Sequence, residues 1–157
     1  MAPRNPSHSQ STSWKAVRDS AVRVRYRSTK SLPKSQVLNL YRSVQWSAAE
    51  KPAHLMRALK RSHSVVTAWV DGSLVGLGNA ISDGSMVVYY PHLLVLPEFQ
   101  RRGIGRQLMK QLTNRYRGFH QHMLVAEARA VSFYRKCGFR RAGKTTSMWV
   151  FKGREHG

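Results

Sequence analysis

Chemistry is concentrated in one stretch of this chain, Leu93-Leu-Val-Leu-Pro-Glu-Phe-Gln-Arg-Arg-Gly-Ile-Gly-Arg106. An apolar run stops at a proline and a short loop carries two glycines. A helical pattern follows at once, with Ile104, Leu108, Leu112 and Tyr116 on one stripe. Glycines in such a loop let successive backbone N–H groups converge on an anion without Cβ obstruction. The helix N-terminus adds partial positive charge, worth about 0.3–1 kcal/mol at an exposed site. Arg101, Arg102 and Arg106 add full charges. Phosphate or pyrophosphate is the ligand class this predicts. The spacing fits neither the three-glycine dinucleotide fingerprint nor the Gly-Lys-Ser/Thr loop of nucleotide triphosphatases.

The elements that must position this loop follow from hydrophobic periodicity. Val22-Arg-Val-Arg-Tyr-Arg27 alternates strictly, as a half-buried or edge strand does. Helices are predicted after Pro33, through Val37, Leu38, Tyr41 and Val44, and from Pro52 through Leu59. Asp71-Gly72 between the apolar runs 64–70 and 74–81 marks a hairpin. A long strand over 86–96 must be bulged or unpaired at Pro91, which has no N–H to donate. After the loop helix come a strand near 122–126, a helix near 128–136, and terminal strands near 139–141 and 147–152. The order β-α-α-β-β-β-α-β-α-β is a mixed α/β layer fold.

Composition bounds the partners. The chain has 157 residues, 27 Lys+Arg and 7 Asp+Glu, giving a formal charge of +20 that attracts polyanions, nucleic acid included. The single Cys137 excludes an internal disulfide framework and a multi-cysteine zinc cage, and the seven His lack metal-ligand spacing, so no metal is expected. No apolar run approaches the roughly 20 residues of a spanning helix, so no membrane partner is expected. Residues 1–20 are rich in Ser, Pro and Arg and poor in acid, which predicts a flexible basic tail, and 21–157 form the domain proper. The tail has no apolar core of a secretory signal. Its Arg/Ser-rich character fits an organelle targeting segment, as the alternative to a cytoplasmic location.

Gln100-Arg-Arg-Gly-Ile-Gly105, behind a strand ending Leu-Leu-Val-x-Pro, resembles the acetyl-CoA signature Gln/Arg-x-x-Gly-x-Gly/Ala of the GNAT superfamily of N-acetyltransferases. Ala130-Val-Ser-Phe-Tyr-Arg-Lys-Cys-Gly-Phe139 resembles the family's late helix with its Phe-Tyr-x-x-x-Gly-Phe ending. The element order from Val22 to Lys152 is similar as well, and Leu40-Tyr-Arg-Ser-Val-Gln-Trp46 resembles the arylalkylamine-acetyltransferase branch. The resemblance implies the GNAT (acyl-CoA N-acyltransferase) fold: a mixed, mostly antiparallel sheet, splayed at the acetyl-CoA site and flanked by helices.

It also implies roles. Backbone groups of Leu93, Leu94 and Val95 would pair with the pantetheine arm of acetyl-CoA. Gln100, Arg101, Arg102, Gly103, Ile104, Gly105 and Arg106 would cradle the pyrophosphate. Tyr134 corresponds to the general acid that protonates the leaving thiolate, and it also borders the cofactor. Cys137 is expected as a small buried side chain, because transfer in this family is direct.

The general base departs from the pattern. Relatives carry Glu or His where this chain has Pro91. His92 takes the role only if Pro91 shifts the register, because it otherwise faces away from the site. Tyr89, His122, Glu127 and a water chain to solvent are alternatives. Glu127 also stands where relatives carry a cofactor-contacting Asn. Trp46 and Glu127 are the expected acceptor contacts, in a pocket walled by 43–50 and the 140–146 turn. The activity implied is direct acetyl transfer from acetyl-CoA to a primary amine, small or peptidic, by a monomer or homodimer. A basic nucleic-acid-binding module on the same scaffold is the alternative.

Overall fold

The computed structural model describes residues 22–154; the predicted tail 1–20 lies outside the described residues. Six strands and four α-helices run in the order β1 (Arg25–Ser28), α1 (Lys34–Ser43), α2 (Pro52–Arg61), β2 (Ser64–Val70), β3 (Ser73–Ser82), β4 (Val87–Tyr89), β5 (Leu93–Val95), α3 (Ile104–Arg115), β6 (Gln121–Met123) and α4 (Val131–Lys136). Short 3-10 turns at Ser47–Glu50, Pro97–Phe99 and Ala128–Ala130 join them.

The sheet path is β1-β2-β3-β4-β6, with β5 also on β3. All pairs are antiparallel except β4 with β6. The Asp71-Gly72 hairpin is present, with Asp71 and Gly72 at φ of 46° and 79°; both central residues of such a turn need positive φ. Strands β2 and β3 are buried along nearly their whole length, so helices cover both faces.

Alternation sorts those faces. Gly76 and Gly78 of β3 face α3 so closely that a Cβ at Gly78 would stand 2.9 Å from Leu112 Cδ1. Asn79 therefore points to the opposite face, where its Nδ2 donates to Ser62 Oγ just after α2 at 2.9 Å. The core between these layers includes Tyr41, Leu59, Leu77, Ile104, Leu108, Leu112 and Tyr116.

Two expectations about strands meet different outcomes. The bulge required at Pro91 is there: Ile81 pairs with Tyr89 and Gly78 with Leu93, three steps along β3 against four along the facing chain. That extra residue splits the long strand into β4 and β5. The terminal strands expected near 139–141 and 147–152 do not form. A tight turn, with Gly143 at φ 62° and its N–H on Arg141 O, redirects the chain. Beyond it Met148 and Val150 remain 91% and 95% exposed. Periodicity reports a chain able to extend. Pairing also needs a neighbouring ladder, and β6 offers one of three residues.

Candidate active site

Leu93–Val95 pair with β3 on one side only. Strand β6 runs beside β4 as far as the Tyr89–Met123 pair, followed by the Tyr90 N–H donating to Met123 O at 2.9 Å. Past that point β6 stops, so among the described residues the second edge of β5 faces an opening in the sheet. Extended backbone at such an edge presents N–H and C=O groups to a linear amide.

The chain leaves β5 at Pro97, and Gln100 Nε2 donates back to Val95 O at 3.0 Å, tying the loop to the strand end. Arg101 and Gly103 take positive φ, 61° and 80°, and Gly103 is the N-cap of α3. The first N–H groups of a helix have no intrahelical acceptor. Arg101 and Arg102 in the loop and Arg106 in the first turn of α3 are carried on the same short stretch. Gly105 has a further reason to lack a side chain: a Cβ there would lie 3.4 Å from Phe133 Cζ of α4 and 3.8 Å from Val95 Cγ2. One glycine thus brings β5, the start of α3 and α4 together.

Tyr134 follows Phe133 on α4, their rings meeting edge to face at 5.0 Å. Phe139 packs against Tyr134 at 6.1 Å. Burial, then the neighbouring Cys137, Glu127 and Tyr89, push the Tyr134 phenol up to about 12. It therefore carries its proton throughout the neutral range. Cys137 is half-buried, and burial raises its thiol despite the opposing influence of Arg106. That environment suits a packing residue and not a thiolate nucleophile.

On the other side of β5, His92 is held from three directions. Its N–H donates to Asn79 Oδ1 at 3.1 Å and its carbonyl accepts from the Asn79 N–H at 3.1 Å. The Tyr41 hydroxyl lies 2.7 Å from His92 Nδ1. The Trp46 ring stands edge-on at 5.3 Å. Trp46 also lines a cleft of about 590 Å³ with Arg42, Glu50, Glu127, Arg129 and Arg154. Glu127 pairs with Arg129 at 2.7 Å, and Glu50 pairs with Arg154.

Trp46 and Glu127, 81 positions apart in the chain, thus line one cleft. The 140–146 turn does not line it; Arg154 does. His122 belongs to a different cluster. Its Nε2–H donates to Tyr116 O at 3.0 Å, so its Nδ1 accepts from the Tyr90 hydroxyl at 2.8 Å. Both ring nitrogens are engaged within the fold. Burial and the neighbouring Tyr116 keep the Tyr90 phenol protonated well above its usual range.

Three residues of this site escape sequence reasoning. Tyr41 reads as one more apolar position of α1, Asn79 as a polar interruption of β3, and Phe133 as the first half of a motif. Their roles depend on partners distant in the chain, which no local pattern announces.

The acetyltransferase (GNAT) domain family matches residues 35–151. Similar proteins include the uncharacterized N-acetyltransferase ycf52 of Porphyra purpurea, 30% identical over 118 residues that cover 71% of this chain and 67% of that protein. GCN5-related N-acetyltransferase 3, chloroplastic, of Arabidopsis thaliana is 32% identical over 84 residues, 51% of this chain and 35% of that one. Of solved structures, a GNAT-family acetyltransferase from Streptococcus pneumoniae superposes with a TM-score of 0.73 at 30% identity, covering 83% of this chain and 99% of that one. Aminoglycoside N-acetyltransferase AAC(6')-Iy, in complex with CoA, shares the fold at a TM-score of 0.62 and 17% identity, over 87% of this chain and 98% of that one. The signature loop, the late helix and the open sheet edge stand together inside the matched region, and the chain belongs to the GNAT family of acetyltransferases.

Proposed function

We propose that the protein transfers the acetyl group of acetyl-CoA directly to a primary amine. The observation that carries this reading is the junction at Gly105, where the open edge of β5, the Gly103-capped start of α3 and the Tyr134 helix converge. The N–H groups of Arg101–Arg106 would hold the pyrophosphate, with the three arginines as counter-charge. The Leu93–Val95 edge would pair with the pantetheine amides. Acetyl-CoA supplies a thioester whose acyl carbon the amine nitrogen attacks, with loss of sulfur.

The residues of the chain supply alignment and proton movement. Tyr134 retains its Oη proton at neutral pH and delivers it to the departing sulfur, so that a neutral thiol leaves. An amine with a pKa near 10 arrives as an ammonium and must lose one proton before attack and a second as the adduct collapses, the second restoring the phenol that Tyr134 gives up to sulfur. His92 is the assigned acceptor of the first proton. In the tautomer whose Nδ1–H donates to the Tyr41 oxygen, the Nε2 lone pair is basic. Trp46 packs the body of the amine, and Glu127 attracts its charge at the cleft wall. Holding both reactants in one geometry is the main contribution to rate.

The test is amine-dependent release of CoA thiol, with the acetylated product identified by mass spectrometry. A panel should start with arylalkylamines and peptide lysines. Thiol release that requires a primary amine is expected; acetyl-CoA hydrolysis indifferent to every amine would overturn the reading.

No helix among the described residues is long and apolar enough to cross a membrane. One relative is named as chloroplastic, which favours an organelle address in residues 1–20 over a cytoplasmic location. An intact N-terminus on protein from its native source would remove that address.

A further inference from the structure

The edge strand β1 carries a row of arginines that acetyl transfer does not use. Arg25 and Arg27 alternate along β1, so they share one face about 6.6–6.8 Å apart, and Arg23 just before the strand lines the same groove. Arg25 lies opposite Trp69 in the β1–β2 register, and the Arg27 guanidinium sits 5.5 Å from the Trp69 ring centroid. With Asp71 these residues line a groove of about 380 Å³. All three arginines are exposed. Among the described residues β1 pairs only with β2. Thr29 N–H donates to Val65 O. Strand alternation therefore turns the peptide groups of Tyr26 and Ser28 toward the open edge.

We propose that this edge captures an extended acidic segment of another protein, which adds as a further strand with Asp or Glu at alternate positions. An added strand has the same two-residue repeat as β1, so its acids stand directly opposite the arginines while its backbone satisfies Tyr26 and Ser28. No segment of this sequence carries that pattern. Its seven acidic residues are Asp19, Glu50, Asp71, Asp83, Glu98, Glu127 and Glu155, and no two are spaced i, i+2. A second copy is disfavoured, because two β1 edges would set arginine against arginine. Nucleic acid is less suited: Trp69 is only 8% exposed and already covered by Arg27, so this face offers no platform for bases to stack on.

The test uses the full chain and three probes of equal charge. These are a peptide alternating Glu with Thr and Val, the same peptide with its Glu residues clustered, and a dT oligonucleotide. A fourth probe is the alternating peptide N-methylated at every second residue, which keeps charge and removes strand pairing. The alternating peptide should bind best, and the clustered and N-methylated forms should each bind about tenfold more weakly. The double variant Arg25→Gln, Arg27→Gln should lose a similar factor while acetylation of a small amine stays unchanged. Equal binding of the N-methylated or clustered peptide would reduce the effect to bulk charge and overturn the proposal. Tighter, Arg25- and Arg27-dependent binding of the oligonucleotide would overturn it in favour of nucleic acid.

Discussion

The Tyr41 hydroxyl reaches His92 Nδ1 at 2.7 Å across the gap between α1 and the bulge that precedes β5. Tyr41 is fully buried, and burial holds its phenol protonated far above the usual range. A neutral phenol at this distance fixes the ring plane of His92 and restricts which nitrogen exchanges protons. It also joins the wall of the cleft, through Trp46, to the strand that ends at the Gly103 loop.

Replacing Tyr41 with Phe keeps the ring and removes that bond. The cost in stability should be about 1 kcal/mol, the net worth of one buried hydrogen bond, read as a lower urea midpoint. Amine-dependent turnover should fall several-fold with acetyl-CoA affinity intact. Full turnover in Tyr41→Phe would separate His92 from proton transfer.

Tyr134→Phe probes the opposite end of the reaction. Loss of the proton donor should lower kcat by roughly 10²-fold, the lower range for a general acid. Acetyl-CoA binding, measured calorimetrically, should change little. With the wild-type phenol pushed up to about 12, no alkaline limb from Tyr134 is expected in the rate profile up to about pH 10. Unchanged turnover in the variant would remove its role as acid.

Gly103 is predicted to be intolerant of side chains for a backbone reason. A Cβ there meets nothing within 4 Å, yet φ is +80°. Gly103→Ala should therefore cost about 1 kcal/mol of stability through conformation alone. It should also weaken acetyl-CoA binding as the loop N–H groups shift. A variant with wild-type affinity would show that those groups do not form the anion site.

Three phenols, the buried Tyr41 and Tyr90 and the partly buried Tyr134, are raised above the usual value of about 10. In the unfolded chain they ionise near 10 while the folded state still holds their protons, so above that pH folding binds more protons than unfolding. Their contribution is fully present below about pH 10 and is lost as pH rises toward the folded values. Urea midpoints should be level from about pH 8 to 9 and decline between about pH 10 and 12. A midpoint rising over that upper interval would contradict the burial of these rings.

The junction of β5, loop and α3 was legible because its determinants are local: proline, glycines, arginines and the helical stripe lie within 24 consecutive residues, 93–116. The Pro91 bulge was legible for the same reason, since one missing N–H is a property of one residue. What stayed hidden is non-local. Tyr41 meets His92, and Asn79 clamps the His92 backbone, only after α1 packs on β3 and β5. The C-terminal strands were over-read, because alternation in Met148-Trp-Val-Phe151 describes an extended chain but not the neighbour it would need.

The central claim, that the β5 edge and the Gly103-capped helix form an acetyl-CoA site, is tested most directly by calorimetric titration at moderate salt. Acetyl-CoA should bind with a dissociation constant on the order of micromolar, at least about tenfold tighter than ATP or inorganic polyphosphate, because only acetyl-CoA has a pantetheine arm to pair with Leu93–Val95. Equal binding of all three anions would show that charge alone attracts them, and would contradict the account.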